Sequence, residues 1–187
     1  MTAFTDGVVA IIITIMVLEL KLPQGAHLSD LAPVLPSILT YLLSFIYIGI
    51  YWNNHHHMLQ LATSVTGPIL WANLHLLFWL SLIPFATAWV GGNHFAPLPV
   101  SLYGGLLIMA AIAYTILMTL LVNHEGPDSA LARAMGRDIK GKLSLAIYAA
   151  GVALAFVQAF ASIALYVLVA MIWFIPDRRV ERALQAP

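Results

Sequence analysis

Charge is scarce in this chain and cysteine is absent. Only 9% of the 187 residues are Asp, Glu, Lys or Arg, against about 25% in soluble domains. None of the four occurs from Leu31 to His124, or from Leu143 to Pro176. Without cysteine there is no disulfide, no thiol chemistry and no sign of a redox compartment. A formal net charge of zero argues against a nucleic-acid partner. No G-x-x-x-x-G-K-[ST] loop and no H-E-x-x-H pair is present, so nothing points to an ATP-driven pump or a zinc protease. A carbonyl filter of the T-V-G-Y-G kind is missing too, since Leu102-Tyr103-Gly104-Gly105 does not match it. The opening segment has no basic n-region and carries an acid before its apolar run, so a cleaved signal peptide is not expected.

What is there is apolar: 61% hydrophobic residues and a mean hydropathy of +0.92 mark an integral membrane protein. Lys21-Leu22-Pro23-Gln24-Gly25, the Gly67-Pro68 pair, Gly91-Gly92-Asn93-His94 before Pro97, and the polar run His124 to Gly141 divide the chain. Pro84 falls inside the third apolar run as an expected kink. The last uncharged run, 34 residues from Leu143 to Pro176, would make a helix of ~50 Å, too long for one span. It reads as two short helices turning near Gln158 to Ser162. The expectation is an all-α membrane protein, one domain over 1–187, with six spans near 4–20, 34–57, 68–90, 100–122, 142–158 and 161–176. A short surface helix is expected around Ala130 to Met135.

Basic residues support the even count. Arg133, Arg137, Lys140 and Lys142 share the fourth loop, Arg178, Arg179 and Arg182 the tail, and Lys21 alone falls in an odd-numbered loop. Because cytoplasmic loops collect Lys and Arg, six spans put that loop and both termini in the cytoplasm.

The first apolar stretch is anomalous. Only the twelve residues Gly7 to Leu18 separate the carboxylates of Asp6 and Glu19, which is ~18 Å of helix against roughly 30 Å of hydrocarbon. At least one carboxylate should be sheltered by protein, so this helix is placed innermost. Ile11, Thr14, Ile15 and Leu18 share one of its faces. That face is either a packing seam inside one bundle or, with several copies around an axis, the wall of a conduit. Asp6 with Thr5 either caps the helix or enters a buried network with histidines and amides of neighbouring helices. Glu19 reads as an interfacial carboxylate, or as a ring that concentrates cations if the helix repeats around an axis.

Polar residues elsewhere are few. His55, His56 and His57 are consecutive, so on a helix they point about 100° apart and cannot share one ion, and no metal is expected. Trp52-Asn53-Asn54 before them reads as an interfacial belt. Asn73, His75, Ser81 and Thr87 read as polar ties between helices.

Phe4-Thr5-Asp6-Gly7, Ala10-Ile11-Ile12-Ile13-Thr14 and Val17-Leu18-Glu19-Leu20 resemble the first-helix signature of prokaryotic members of the transmembrane protein 175 family, counterparts of an endolysosomal potassium channel. The resemblance continues in Tyr51-Trp52-Asn53-Asn54-His55-His56, in Leu70-Trp71-Ala72-Asn73-Leu74 and in Ile83-Pro84-Phe85-Ala86-Thr87. It implies a homotetramer of six-helix subunits in a prokaryotic plasma membrane, with a leak-like pore lined by the first helix. That pore would pass potassium modestly in preference to sodium and need no cofactor. Carried over by position, Ile11 would be the narrowest ring, followed by Ile15 and Leu18, with Thr14 close behind. Thr5, Asp6, His55, His56 and Asn73 would form the supporting network, and Glu19 the outer mouth. The family motif reads Arg-x-x-x-Phe-Ser-Asp; here Thr5 replaces serine, and the arginine position falls one residue before Met1. The competing reading is a proton- or cation-coupled transporter using Asp6, His55, His56 and His75, and a third is a membrane enzyme with a histidine metal site.

Overall fold

The computed structural model describes residues 1–136 and 138–174. Among these the protein is all helical, with no strand: α1 (Thr2–Leu18), α2 (Leu35–Gln60), α3 (Gly67–Ser81), α4 (Ile83–Gly92), α5 (Pro97–Glu125), α6 (Ala130–Met135), α7 (Ile139–Leu154) and α8 (Ala159–Phe174). The segments Leu28–Gln60, Gly67–Gly92 and Pro97–Glu125 are long and apolar enough to cross a membrane, and Thr2–Leu18 and Ala159–Phe174 are shorter apolar helices. The end of the last expected span, Arg137 and the arginines of the tail lie outside the described residues.

Local chemistry accounts for most boundaries. Prolines open α2 and α5, where a missing N–H costs nothing. Pro84 has no N–H for the Leu80 carbonyl, and the helix breaks at Leu82, which turns back tightly onto Trp79 (3.3 Å). The third apolar run is thereby split into α3 and α4. Gly126, at φ +92°, ends α5 in a backbone region that favours glycine. The stretch after Lys21 is not all loop: Leu28–Val34 forms a 3-10 turn, closed by a hydrogen bond from the His27 N–H to Asp30 Oδ2 (2.9 Å).

The α7–α8 turn differs from its expected position. It occupies 155–158 rather than Gln158 to Ser162, because the Gln158 carbonyl already accepts the N–H groups of Ala161 and Ser162 as the first turn of α8. The earlier reversal puts Tyr166 against Gly151 and Gly104, where an added Cβ would lie 2.5 Å and 2.0 Å from its side chain. Small residues thus let α5, α7 and α8 approach closely.

The main packing pairs are α3 with α5, α2 with α4, α5 with α7 and α7 with α8, while α1 packs on α2, α3 and α4. Tyr47, Tyr103 and Tyr166 are fully buried. In their midst Ser44 bonds both Thr87 (2.6 Å) and Tyr103 (2.9 Å), joining α2, α4 and α5. Gly91 of α4 meets Ser37 of α2 so closely that a Cβ would sit 2.5 Å from the Ser37 Cα. Gly91→Ala should therefore cost about 1–3 kcal/mol, read as a lower thermal midpoint of the purified protein. The neighbouring Gly92→Ala, with nothing within 4 Å, should leave the midpoint unchanged.

Candidate pore helix and its hydrogen-bond network

Two opposite stripes run along α1. Thr5, Val9, Ile12 and Met16, spaced by four, three and four, are buried against the other helices. On the other side Ile11 is 60% exposed, Ile15 42% and Leu18 77%, and Thr14 is exposed between them. A packing seam inside one chain would bury this second face, and it is not buried. Within a single chain α1 is covered on one side only. Thr14 satisfies its hydroxyl by donating to the Ala10 carbonyl of its own helix (2.8 Å).

The lower part of α1 is tied down by one amide. Asn73 of α3 donates through Nδ2 to Thr5 Oγ1 (3.0 Å) and accepts through Oδ1 from His55 Nε2 (2.7 Å), and all three residues are buried. One side chain thereby joins α1, α2 and α3. The acceptor role of Oδ1 assigns the His55 proton to Nε2.

Asp6 takes a different partner. Trp52 of α2 donates its indole N–H to Asp6 Oδ1 at 2.8 Å, and His56, one turn on, stacks on Trp52 with centroids 5.5 Å apart at 25°. The far nitrogen of His56, Nε2, meets Gln60 Nε2 at 3.0 Å, while its Nδ1 is buried without a hydrogen-bond partner among the described residues. Asp6 is not a cap: α1 starts at Thr2 with Met1 before it and has no acid in its first turn. Asp6 is half-buried, whereas Glu19 is exposed at the C-terminus of α1. A carboxylate there opposes the helix dipole.

The five expected network residues thus form two adjacent groups, Thr5 with Asn73 and His55, and Asp6 with His56 through Trp52. Trp52 and Gln60 were not anticipated as members. The spacing of Trp52 to His55 and His56, three and four residues, puts them on one helix face and is the signal that could have found Trp52. His57 points elsewhere, its ring 6.4 Å from that of His56 and inclined by 58°. Among the described residues no three His, Cys, Asp or Glu side chains are grouped to hold a metal. His75 stands apart from this network and accepts from Trp79 on its own helix (2.9 Å). Ser81 likewise bonds within its helix, to the Phe78 carbonyl, whereas Asn73 and Thr87 tie helices together.

The chain is similar to known proteins in sequence and in fold. A sequence profile described as the endosomal/lysosomal potassium channel TMEM175 matches residues 1–84, from α1 to Pro84. A protein of Chryseobacterium sp. (strain P1-3) named as a potassium channel is 55% identical over 183 residues, covering 98% of this chain and 95% of that one. Another of that name from Streptomyces collinus (strain DSM 40733 / Tue 365) is 29% identical over 180 residues, 90% and 87% of the two chains. The crystal structure of a lysosomal potassium-selective channel TMEM175 homologue from Chamaesiphon minutus matches with a TM-score of 0.82 at 28% identity, over 94% of this chain and 95% of that one. These relatives are named for carrying an ion and not for an enzymatic reaction. With a near full-length relative at 55% identity and the profile match falling on the helices that hold the network, this integral membrane protein belongs to the TMEM175 family.

Proposed function

We propose that the protein is a potassium channel whose pore is lined by α1 helices from four copies of the chain. The observation that carries this reading is the pair of stripes on α1: one face packs into the subunit, and the opposite face leaves Ile11, Thr14, Ile15 and Leu18 exposed. Copies of that face around an axis make rings of branched aliphatic side chains spaced over ~10 Å between Ile11 and Leu18. The shortness of α1 then ceases to be a difficulty, because its partners are protein and water rather than lipid. In the full assembly each subunit contributes six spans, with both termini in the cytoplasm of a prokaryotic cell and the pore crossing its plasma membrane.

An apolar ring offers no oxygen to replace an ion's hydration shell. Passage requires keeping water or shedding part of it, which costs potassium less than sodium, and a ring that dewets closes the path. Selectivity on this basis is real but modest, and the conductance is leak-like. Ile11 is the narrowest ring, Thr14 supplies the hydroxyls at that depth, and four copies of Glu19 at the outer mouth concentrate cations. The unfavourable placement of Glu19 against the helix dipole fits a residue kept for that field. The Asn73 and Trp52 contacts hold the inner end of α1 in register so that the Ile11 rings meet.

Reconstituted into liposomes, the protein should pass potassium faster than sodium at rates beyond those of a carrier. Equal fluxes would remove the potassium preference, and no flux, or flux at carrier rates, would remove the channel reading. Ile11→Asn should raise both fluxes and drive their ratio towards unity, whereas an unchanged ratio would take Ile11 out of the constriction. Asn73→Leu, which keeps the volume but strands buried Thr5 and His55, should cost about 2–4 kcal/mol. Thermal unfolding of the purified protein reads that loss. Trp52→Phe should cost about 1–2 kcal/mol by removing the indole bond to a charged partner, read in the same assay.

A further inference from the structure

Away from α1, at the end of the bundle where α7 begins, a half-enclosed cavity of about 40 Å³ lies between α2, α5, α7 and α8. That is room for about three water molecules. Its walls include the rings of Tyr51, Tyr114, Tyr148 and Trp173, and Asp138 and Ser144 also line it. Tyr51 and Tyr114 stand edge to face at 6.1 Å, and neither hydroxyl has a hydrogen-bond partner among the described residues. Ser144 is already committed, accepting from the Trp173 indole (2.8 Å) and donating to the Lys140 carbonyl (2.8 Å).

Asp138 is the unusual member. It adopts a left-handed backbone at φ +42°, which a non-glycine residue takes at a cost. One carboxylate oxygen accepts the Gly141 N–H at 3.1 Å and caps α7. Burial pushes the Asp138 carboxyl above its ordinary range, against the opposing pull of the Gly141 N–H and of Lys142. A cation beside it would offset that penalty.

Beside the cavity, the chain's own ammonium group of Lys140 lies 6.0 Å from the centroid of the Trp173 ring. Aromatic faces with one carboxylate are the chemistry that recognises organic ammonium ions. An inorganic cation prefers several oxygen ligands, whereas this lining is mostly apolar.

We infer that this cavity is a binding site for a small primary ammonium cation, held by the Asp138 carboxylate and by the surrounding rings of Tyr51, Tyr114, Tyr148 and Trp173. The volume sets the size: methylammonium, with two heavy atoms, fits, and tetramethylammonium, with five, does not. The site is separate from α1 and its test does not require conduction, so the inference stands or falls independently of the pore.

The thermal midpoint of the full-length purified protein is measured in methylammonium chloride, tetramethylammonium chloride and potassium chloride at equal ionic strength. Methylammonium should raise the midpoint by about 3–6 °C over potassium at ten times its dissociation constant, and tetramethylammonium should not. Asp138→Asn keeps both the helix cap and a side chain tolerant of the left-handed backbone while removing the charge, so it should fold and lose the methylammonium shift. No shift beyond potassium, an equal shift with tetramethylammonium, or a full shift in Asp138→Asn would each overturn the assignment.

Discussion

The Asn73 side chain is the contact on which the arrangement of the first helix depends. Inside the protein little water reaches polar groups, so a buried hydroxyl, an imidazole and an amide must satisfy one another. Asn73 does this for Thr5 and His55 at once. The result is directional, unlike the apolar packing of Val9, Ile12 and Met16, which would tolerate a small rotation of α1. A rotation of one residue, about 100° on a helix, would break the amide contacts and move Ile11 out of its face.

That directional tie fixes which stripe of the helix is buried and which is exposed. Its buried stripe belongs to the subunit, held by Asn73 below and packed beside the Ser44, Thr87 and Tyr103 cluster above, where Thr87 also meets Met16 Sδ at 3.9 Å. Its exposed stripe is left free for something outside the chain. The Pro84 break serves the same end, because it lets α4 tilt relative to α3 so that both reach α1.

Much of the fold was legible because each signal is local. Prolines at 97 and 99, the long uncharged runs and the polar loop after His124 state where helices begin and stop without reference to the rest of the chain. Pro84 marks its kink for the same reason. The turn between α7 and α8 was misplaced because the apolar run around it contains no breaker. Its position is decided by Tyr166 finding Gly104 and Gly151, a fit between residues far apart in sequence. The 3-10 turn at Leu28–Val34 was missed because it rests on a local capping box between His27 and Asp30, not on an apolar period.

For the candidate site, the expected polar residues of the network were picked out by type, since carboxylates, amides and imidazoles are rare in a chain this apolar. Periodicity alone placed Ile11, Thr14, Ile15 and Leu18 on one face, and the lack of charge required a membrane. Sequence could not say whether that face was buried, nor that Trp52 and not a histidine would take Asp6. Those facts depend on how α1 is rotated against α2 and α3, and the rotation is chosen by hydrogen bonds spanning 46 and 68 positions of chain. Composition and period determined a helical membrane protein with a short, acid-flanked first helix. Only the tertiary structure decided which side of that helix faces away from its own subunit.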